Sequence, residues 1–180
     1  MKSIMNLAML SVVLAGAPVL AADTQALSPE LQKLDVSVGH WQFHGETLAT
    51  PFGKAGTWTW SEDCHWSGNR VFLVCSFTND WSGKTVKSLV VDTYNNQDRA
   101  YWHYELFAVG ATGKRPFVSR MTVTGNTWIE YGQGKAQGNK INERIVYRYA
   151  SPTRVSVEIQ VSRNGAYWIT IDRGRGVKRR

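Results

Sequence analysis

The chain has 180 residues, 12% of them aromatic, and carries 21 Lys and Arg against 14 Asp and Glu, a formal charge of +7. That length bounds it to one domain with enough chain to bury a core. The charge does not point to nucleic acid, because Lys2 and the terminal Arg173, Arg175, Lys178, Arg179 and Arg180 hold most of the excess, leaving 15 basic and 14 acidic residues between Asp23 and Asp172.

The first 22 residues read as a secretory signal peptide. Lys2 precedes an apolar stretch from Ile4 through Leu20, and Ala21-Ala22 supplies the small residues of a cleavage site before Asp23. Asn6, Gly16 and Pro18 interrupt the stretch, which falls short of the roughly 20 apolar residues needed to span a bilayer. The mature protein is therefore expected to be exported, periplasmic or secreted, without a transmembrane segment. Its domain is expected over residues 23–174, followed by a basic tail over 175–180 that is solvated and makes at most a weak contact with an anionic surface.

Ser28-Pro29-Glu30-Leu31 opens a short helix, with serine at the N-cap and proline in the first turn. From Gly39 onward, runs rich in Val, Thr, Trp, Tyr and Phe alternate with Gly, Asn, Asp and Pro. Strands are predicted from Gly39 to Thr47, Ala55 to Trp66, Arg70 to Asn79, Thr85 to Tyr94 and Ala100 to Ala108. Further strands follow from Pro116 to Thr124, Thr127 to Tyr131, Lys140 to Tyr149, Arg154 to Ser162 and Ala166 to Asp172. About ten short strands at this spacing mean an all-β sandwich or barrel.

The alternation gives faces as well as strands. Ile141, Glu143, Ile145, Tyr147 and Tyr149 oppose Asn142, Arg144, Val146 and Arg148, and Val155, Val157, Ile159 and Val161 oppose Ser156, Glu158 and Gln160, as in a sheet with one wet side. Closing such a meander into an up-and-down antiparallel barrel removes its edges, and a barrel of this size holds a small ligand. The alternative is a β-sandwich.

Cys64 and Cys75 are the only cysteines. Cys64 shares a face with Trp58, Trp60, Glu62 and Trp66, and Cys75 shares one with Val71, Leu73 and Phe77, across a turn at Ser67-Gly68-Asn69-Arg70. In an exported chain an even pair suggests a structural disulfide, the alternatives being two buried thiols or a redox pair.

The motifs Gly39-His40-Trp41, Gly56-x-Trp58-x-Trp60, Cys64-x-Trp66, Phe72-Leu73-Val74-Cys75 and Tyr101-Trp102-x-Tyr104, after Ser28-Pro29-Glu30-Leu31, carry a resemblance. The chain resembles a family of small secreted bacterial proteins of unknown function with a lipocalin-like, calycin-type barrel. The resemblance implies that Trp41 seals one end of the barrel and that an arginine of the last strand, Arg173 or else Arg175, packs over its ring.

Catalytic and metal signatures are absent: there is no nucleophile elbow, paired-cysteine zinc spacing, phosphate loop or dinucleotide fingerprint. His40 and His44 fall on the wet face of the first strand, and no histidine follows His103 to serve a haem barrel, so no cofactor or metal is expected. What remains is polar residues at inward parity. Glu62 sits among Trp58, Trp60 and Trp66, Glu143 between Ile141 and Ile145, and His103 and Glu105 on a face with Tyr101 and Phe107.

A carboxylate so placed must be paired, hydrogen-bonded or protonated. Pairing with Arg120, Arg144 or barrel tyrosines is the structural reading. The functional reading is a pocket for a small hydrophobic or amphipathic molecule, walled by Trp58, Trp60, Tyr101, Phe117 and Met121, with Glu62, His103 or Glu143 as polar anchors. Two rivals stand beside it. One is a filled barrel that binds an envelope partner through its surface or tail. The other is an enzyme with Glu62 or Glu143 as general base, whose mark is a carboxyl pKa raised by its surroundings.

Overall fold

A computed structural model describes residues 28–81, 83–108, 116–136 and 138–179. The predicted signal peptide lies outside these residues. Ser28 caps α1 (Pro29–Lys33) by accepting a hydrogen bond from the Leu31 N–H, and a 3-10 turn over Leu34–Ser37 leads into the first strand.

Ten strands follow: β1 (Gly39–Thr47), β2 (Gly56–Trp66), β3 (Leu73–Trp81), β4 (Lys84–Asn95), β5 (Ala100–Phe107), β6 (Phe117–Thr124), β7 (Thr127–Ala136), β8 (Asn139–Ser151), β9 (Arg154–Ser162) and β10 (Ile169–Arg179). Each pairs antiparallel with the next, and β1 pairs with β10, so the sheet is one closed up-and-down barrel. The sandwich alternative is thereby set aside. Among the described residues no helix is long and apolar enough to cross a membrane.

The basic tail is the clearest departure from expectation. Arg175, Lys178 and Arg179 belong to β10, which runs seven residues beyond the predicted end at Asp172 and pairs with β1 from Thr47↔Asp172 to His40↔Arg179. The residues between the cations explain this. Gly174 lies under the Trp58 ring together with Gly45, and Gly176 lies under Phe43, so close that a Cβ at any of the three would stand 2.1–2.4 Å from a ring carbon. These glycines let large inward rings lie flat on the seam between β1 and β10.

The same register corrects the cation over Trp41. Lys178 stands opposite Trp41 and carries its Nζ to 5.1 Å from the ring centroid, a cation–π arrangement. Arg173 stands opposite Glu46 on the exposed side and donates from Nε to its carboxylate at 2.6 Å. Arg175 is exposed on that side too. The predicted role is real, but a lysine five residues beyond Arg173 fills it.

Trp41 seals its end with help from α1 and the turn after it. Its indole N–H donates to the Ser37 carbonyl at 3.1 Å, and the Tyr101 hydroxyl donates to the Glu30 carbonyl at 3.0 Å. Leu34 and Leu73 are fully buried beneath α1, in a cluster that includes Cys64, Cys75, Tyr101 and Trp128. Cys64 and Cys75 are directly opposed on β2 and β3 and form the expected disulfide. A second cluster, Trp41, Phe43, Trp58, Trp60, Val155, Val157 and Ile159, fills the β1, β2, β9 side of the interior.

A hollow barrel with a ring of buried acids

Packing that wall so heavily leaves the opposite side of the barrel open. The interior is a cavity of about 1250 Å³, bounded at the sealed end by Ser37, Trp41 and Tyr149 and reaching Trp81, Lys84, Pro116, Lys135 and Lys140 at the other. Pockets that hold drug-sized ligands are usually about 300–1,000 Å³. A filled barrel is therefore not what this sequence builds.

Of the predicted pocket residues, Trp60, Glu62, His103, Phe117, Met121 and Glu143 line the cavity. Trp58 and Tyr101 do not. Trp58 is spent on Gly45 and Gly174, and Tyr101 is drawn into the sealed end by its bond to Glu30 and its ring contacts with Tyr94 and Trp128. Phe117 lies across Gly132 of the neighbouring strand β7, where a Cβ would meet its ring at 2.3 Å.

His103 is the centre of the polar side. Adjacent inward positions in register, Asp92↔His103↔Ser119, line up across β4, β5 and β6, while Glu130 stands opposite Met121 on β7. The imidazole Nδ1 is 2.9 Å from Asp92 Oδ1, and its Nε2 is 3.8 Å from Glu130 Oε1. The Ser119 hydroxyl donates to Glu130 at 2.6 Å, and the Ser88 hydroxyl donates to Glu105 at 2.7 Å. Burial alone pulls His103 toward its neutral form. Glu130 and Asp92 outweigh it and push the imidazole up to about 10, so it is a cation at neutral pH. Burial raises the Glu130 carboxyl, against His103 and the Ser119 hydroxyl, which lower it.

Glu62 and Glu143 are held differently. Neither carboxyl has a hydrogen bond or an ion pair among the described residues. Burial first, then Asp92, pushes Glu62 up to about 8, with His103 drawing it down. Burial first, then Glu130, pushes Glu143 up to about 7. The predicted arginine partners are engaged elsewhere: Arg120 donates to the Asp98 carbonyl, and Arg144 donates to Gln160 and lies over the Trp168 ring at 4.2 Å. Glu62 thus keeps its proton at neutral pH, the less costly course for an unpaired acid, while Glu143 titrates near neutrality.

Asp92, Ser119, Glu130 and Asn79 escaped the sequence reading. Parity with Val90 marks Asp92, parity with Met121 marks Ser119, and parity with Trp128 marks Glu130, but each sits in a run where a polar residue reads as the wet face. Among the described residues, no group of His, Cys, Asp and Glu side chains has an arrangement that holds a metal ion.

The family described as "Protein of unknown function (DUF1579)" matches residues 27–175. The chain belongs to it. No curated protein matches this DUF1579 chain. Among solved structures it is similar to Rv2717c from M. tuberculosis, at 15% identity and a TM-score of 0.55 over 86% of this chain and 99% of that one. It is also similar to the S-type phycobiliprotein lyase CPES from Guillardia theta, at 13% identity and a TM-score of 0.55 over 87% of this chain and 96% of that one. At such identities the likeness is one of fold, the lipocalin-like barrel.

Proposed function

We propose that this DUF1579 protein is exported and binds a small hydrophobic or amphipathic molecule inside its barrel. The observation that carries the reading is the cavity of about 1250 Å³, walled by Phe43, Trp60, Phe77 and Met121 with a few polar groups converging among them, the ordinary composition of a ligand site. Export rests on the first 22 residues, and sequencing the N-terminus of the purified protein tests it: a start at Ala22 or Asp23 supports cleavage, and an intact Met1 refutes it.

Native mass spectrometry of protein purified from its producing host tests the binding. A small molecule lost only on denaturation supports the reading. A bare mass, together with failure to take up an environment-sensitive fluorophore such as anilinonaphthalene sulfonate, refutes it.

A second reading has one observation in its favour. Glu62 and Glu143 carry raised carboxyl pKa values without an ion pair among the described residues, the condition that suits a general acid or base. It requires that the bound molecule change mass with time in the wild type and not in Glu62→Gln and Glu143→Gln variants. A surface role keeps one physical basis, since Arg173, Arg175 and Arg179 are exposed on β10. Contact with an anionic surface would then run through the barrel wall.

A further inference from the structure

The interior holds an imbalance that the proposed binding role leaves unexplained. Carboxyls from five strands line the cavity: Glu62 on β2, Asp92 on β4, Glu105 on β5, Glu130 on β7 and Glu143 on β8. The basic side chains among the described lining residues are His103, already held by Asp92 and facing Glu130, and the exposed Lys84, Lys135 and Lys140 near the strand ends. Among the described residues the acid on β2 has no ion-pair partner, and only His103, already held by Asp92, draws its pKa down.

The surroundings of Glu62 are specific. In register Glu62 faces Phe77 and Trp60 faces Asn79, so these four inward residues form one patch across β2 and β3. The Glu62 carboxyl makes no hydrogen bond among the described residues, although protein encloses it and it lines the cavity. Asn79 Oδ1 is buried and has no donor, and the Trp60 indole N–H is buried and has no acceptor, in a residue only 7% exposed. The rings of Trp60 and Phe77 stand 5.9 Å apart, tilted at 42°. Once ionised, the Glu62 carboxylate at the cavity wall beside two aromatic rings suits a group that has hydrogens to donate, a positive charge and no lone pair. An alkylammonium is such a group. A carboxylate would find only the buried Trp60 N–H as an unpartnered donor at this patch among the described residues.

Resting on the ligand-binding reading, we infer that the cavity selects organic cations: the protonated amine of an amphiphile sits at Glu62 against Trp60 and Phe77, with its apolar part in the remaining space. The charge relation is reciprocal. Empty, the Glu62 carboxyl keeps its proton near neutrality, because burial and the facing Asp92, Glu105 and Glu130 outweigh His103. The Tyr147 and Tyr149 hydroxyls on β8, which burial raises well above their ordinary value and the Glu62 charge raises further, stay neutral. An arriving ammonium displaces the Glu62 proton, so binding strengthens as pH rises from about 6 toward 8.

The test titrates the wild-type protein at about pH 7 with dodecylammonium, dodecan-1-ol and dodecanoate below their aggregation limits, by calorimetry and tryptophan fluorescence. Dodecylammonium is expected to bind about tenfold more tightly than the alcohol, with dodecanoate weakest. Glu62→Gln is expected to bring ammonium and alcohol to within about threefold of each other. If the variant does not fold, the wild type still decides: the binding heat of dodecylammonium in buffers of different ionisation enthalpy must report protons released. Alcohol or dodecanoate binding as tightly as the amine overturns the cation preference and leaves the ligand cavity standing; tighter amine binding without proton release overturns the seat at a protonated Glu62. Failure of all three probes to bind overturns both.

Discussion

Replacing Glu62 with glutamine should make the protein more stable, and increasingly so as pH rises. Glutamine keeps the size and the neutral polarity that the protonated carboxyl has in the barrel. In the folded protein Glu62 holds its proton up to about 8, against an ordinary 4.5 in the unfolded chain. Below the unfolded value both states are protonated, and the contribution of this proton to stability is fully present. Between the two values the folded state binds a proton that the unfolded state has lost, so stability falls as pH rises, by about 1.4 kcal/mol per pH unit. From pH 5 to pH 8 the loss is bounded near 4 kcal/mol, and water in the cavity, by raising the effective dielectric, brings the expectation to about 2–4 kcal/mol. Glutamine has no proton to lose and is spared this cost. Glu143, raised to about 7, and Asp172, raised to about 6, titrate in both proteins and largely cancel in the comparison. Urea unfolding with the disulfide intact, followed by tryptophan fluorescence at pH 5 and pH 8, measures the difference. Parallel losses of stability in wild type and variant would show that Glu62 is ionised in the folded barrel, and the argument from its burial would fail.

Two further predictions concern the seam between β1 and β10. Gly174→Ala places a Cβ 2.4 Å from the Trp58 ring and 2.6 Å from the His44 carbonyl oxygen, an overpacking that should cost about 1–3 kcal/mol and lower Tm by several degrees. Gly53→Ala, which meets no atom within 4 Å, should shift stability by at most about 0.5 kcal/mol; equal melting curves for the two variants would refute the close packing. Deleting residues 173–180 should leave no cooperative thermal transition, because it removes most of the β10 pairing with β1. A truncated protein that melts like the full chain would restore the reading of these residues as a solvated tail.

The period-two alternation was enough to read most of the strands, the facing cysteines and the inward placement of six residues that line the cavity, because each is fixed by which face a side chain takes. Register across the barrel is a different kind of information. Glu62 could be recognised as inward from Trp60 and Cys64 on its own strand, but Glu130, five strands away, acts on it only because the sheet closes on itself. Trp58 has the parity of a pocket wall, yet two glycines more than a hundred residues apart in sequence take its ring. Gly174, with Gly176, misled the reading of the last strand, since Arg173-Gly174-Arg175-Gly176 has the composition of a flexible end, and its glycines mark a strand only once the rings lying on them are known. Lys178 was hidden for the same reason, because a cation beyond the predicted strand end has no face to assign.

The pairing of β1 with β10 has a kinetic side. Thr47 and Asp172 share a hydrogen bond across 125 residues of sequence, and Gln42 and Arg179 share one across 137. Every other strand pair joins neighbours in the chain, so hairpins can form one after another while the barrel remains an open, curling sheet. Closure of so long a loop carries its entropy cost before its contacts repay it. Until β10 docks, both edges of the sheet and the acid-lined interior face water. A chain held unfinished by this one late step lingers with exposed strand edges, the state in which self-association competes with folding. Substitutions on β10 should therefore appear first as lost yield of folded protein.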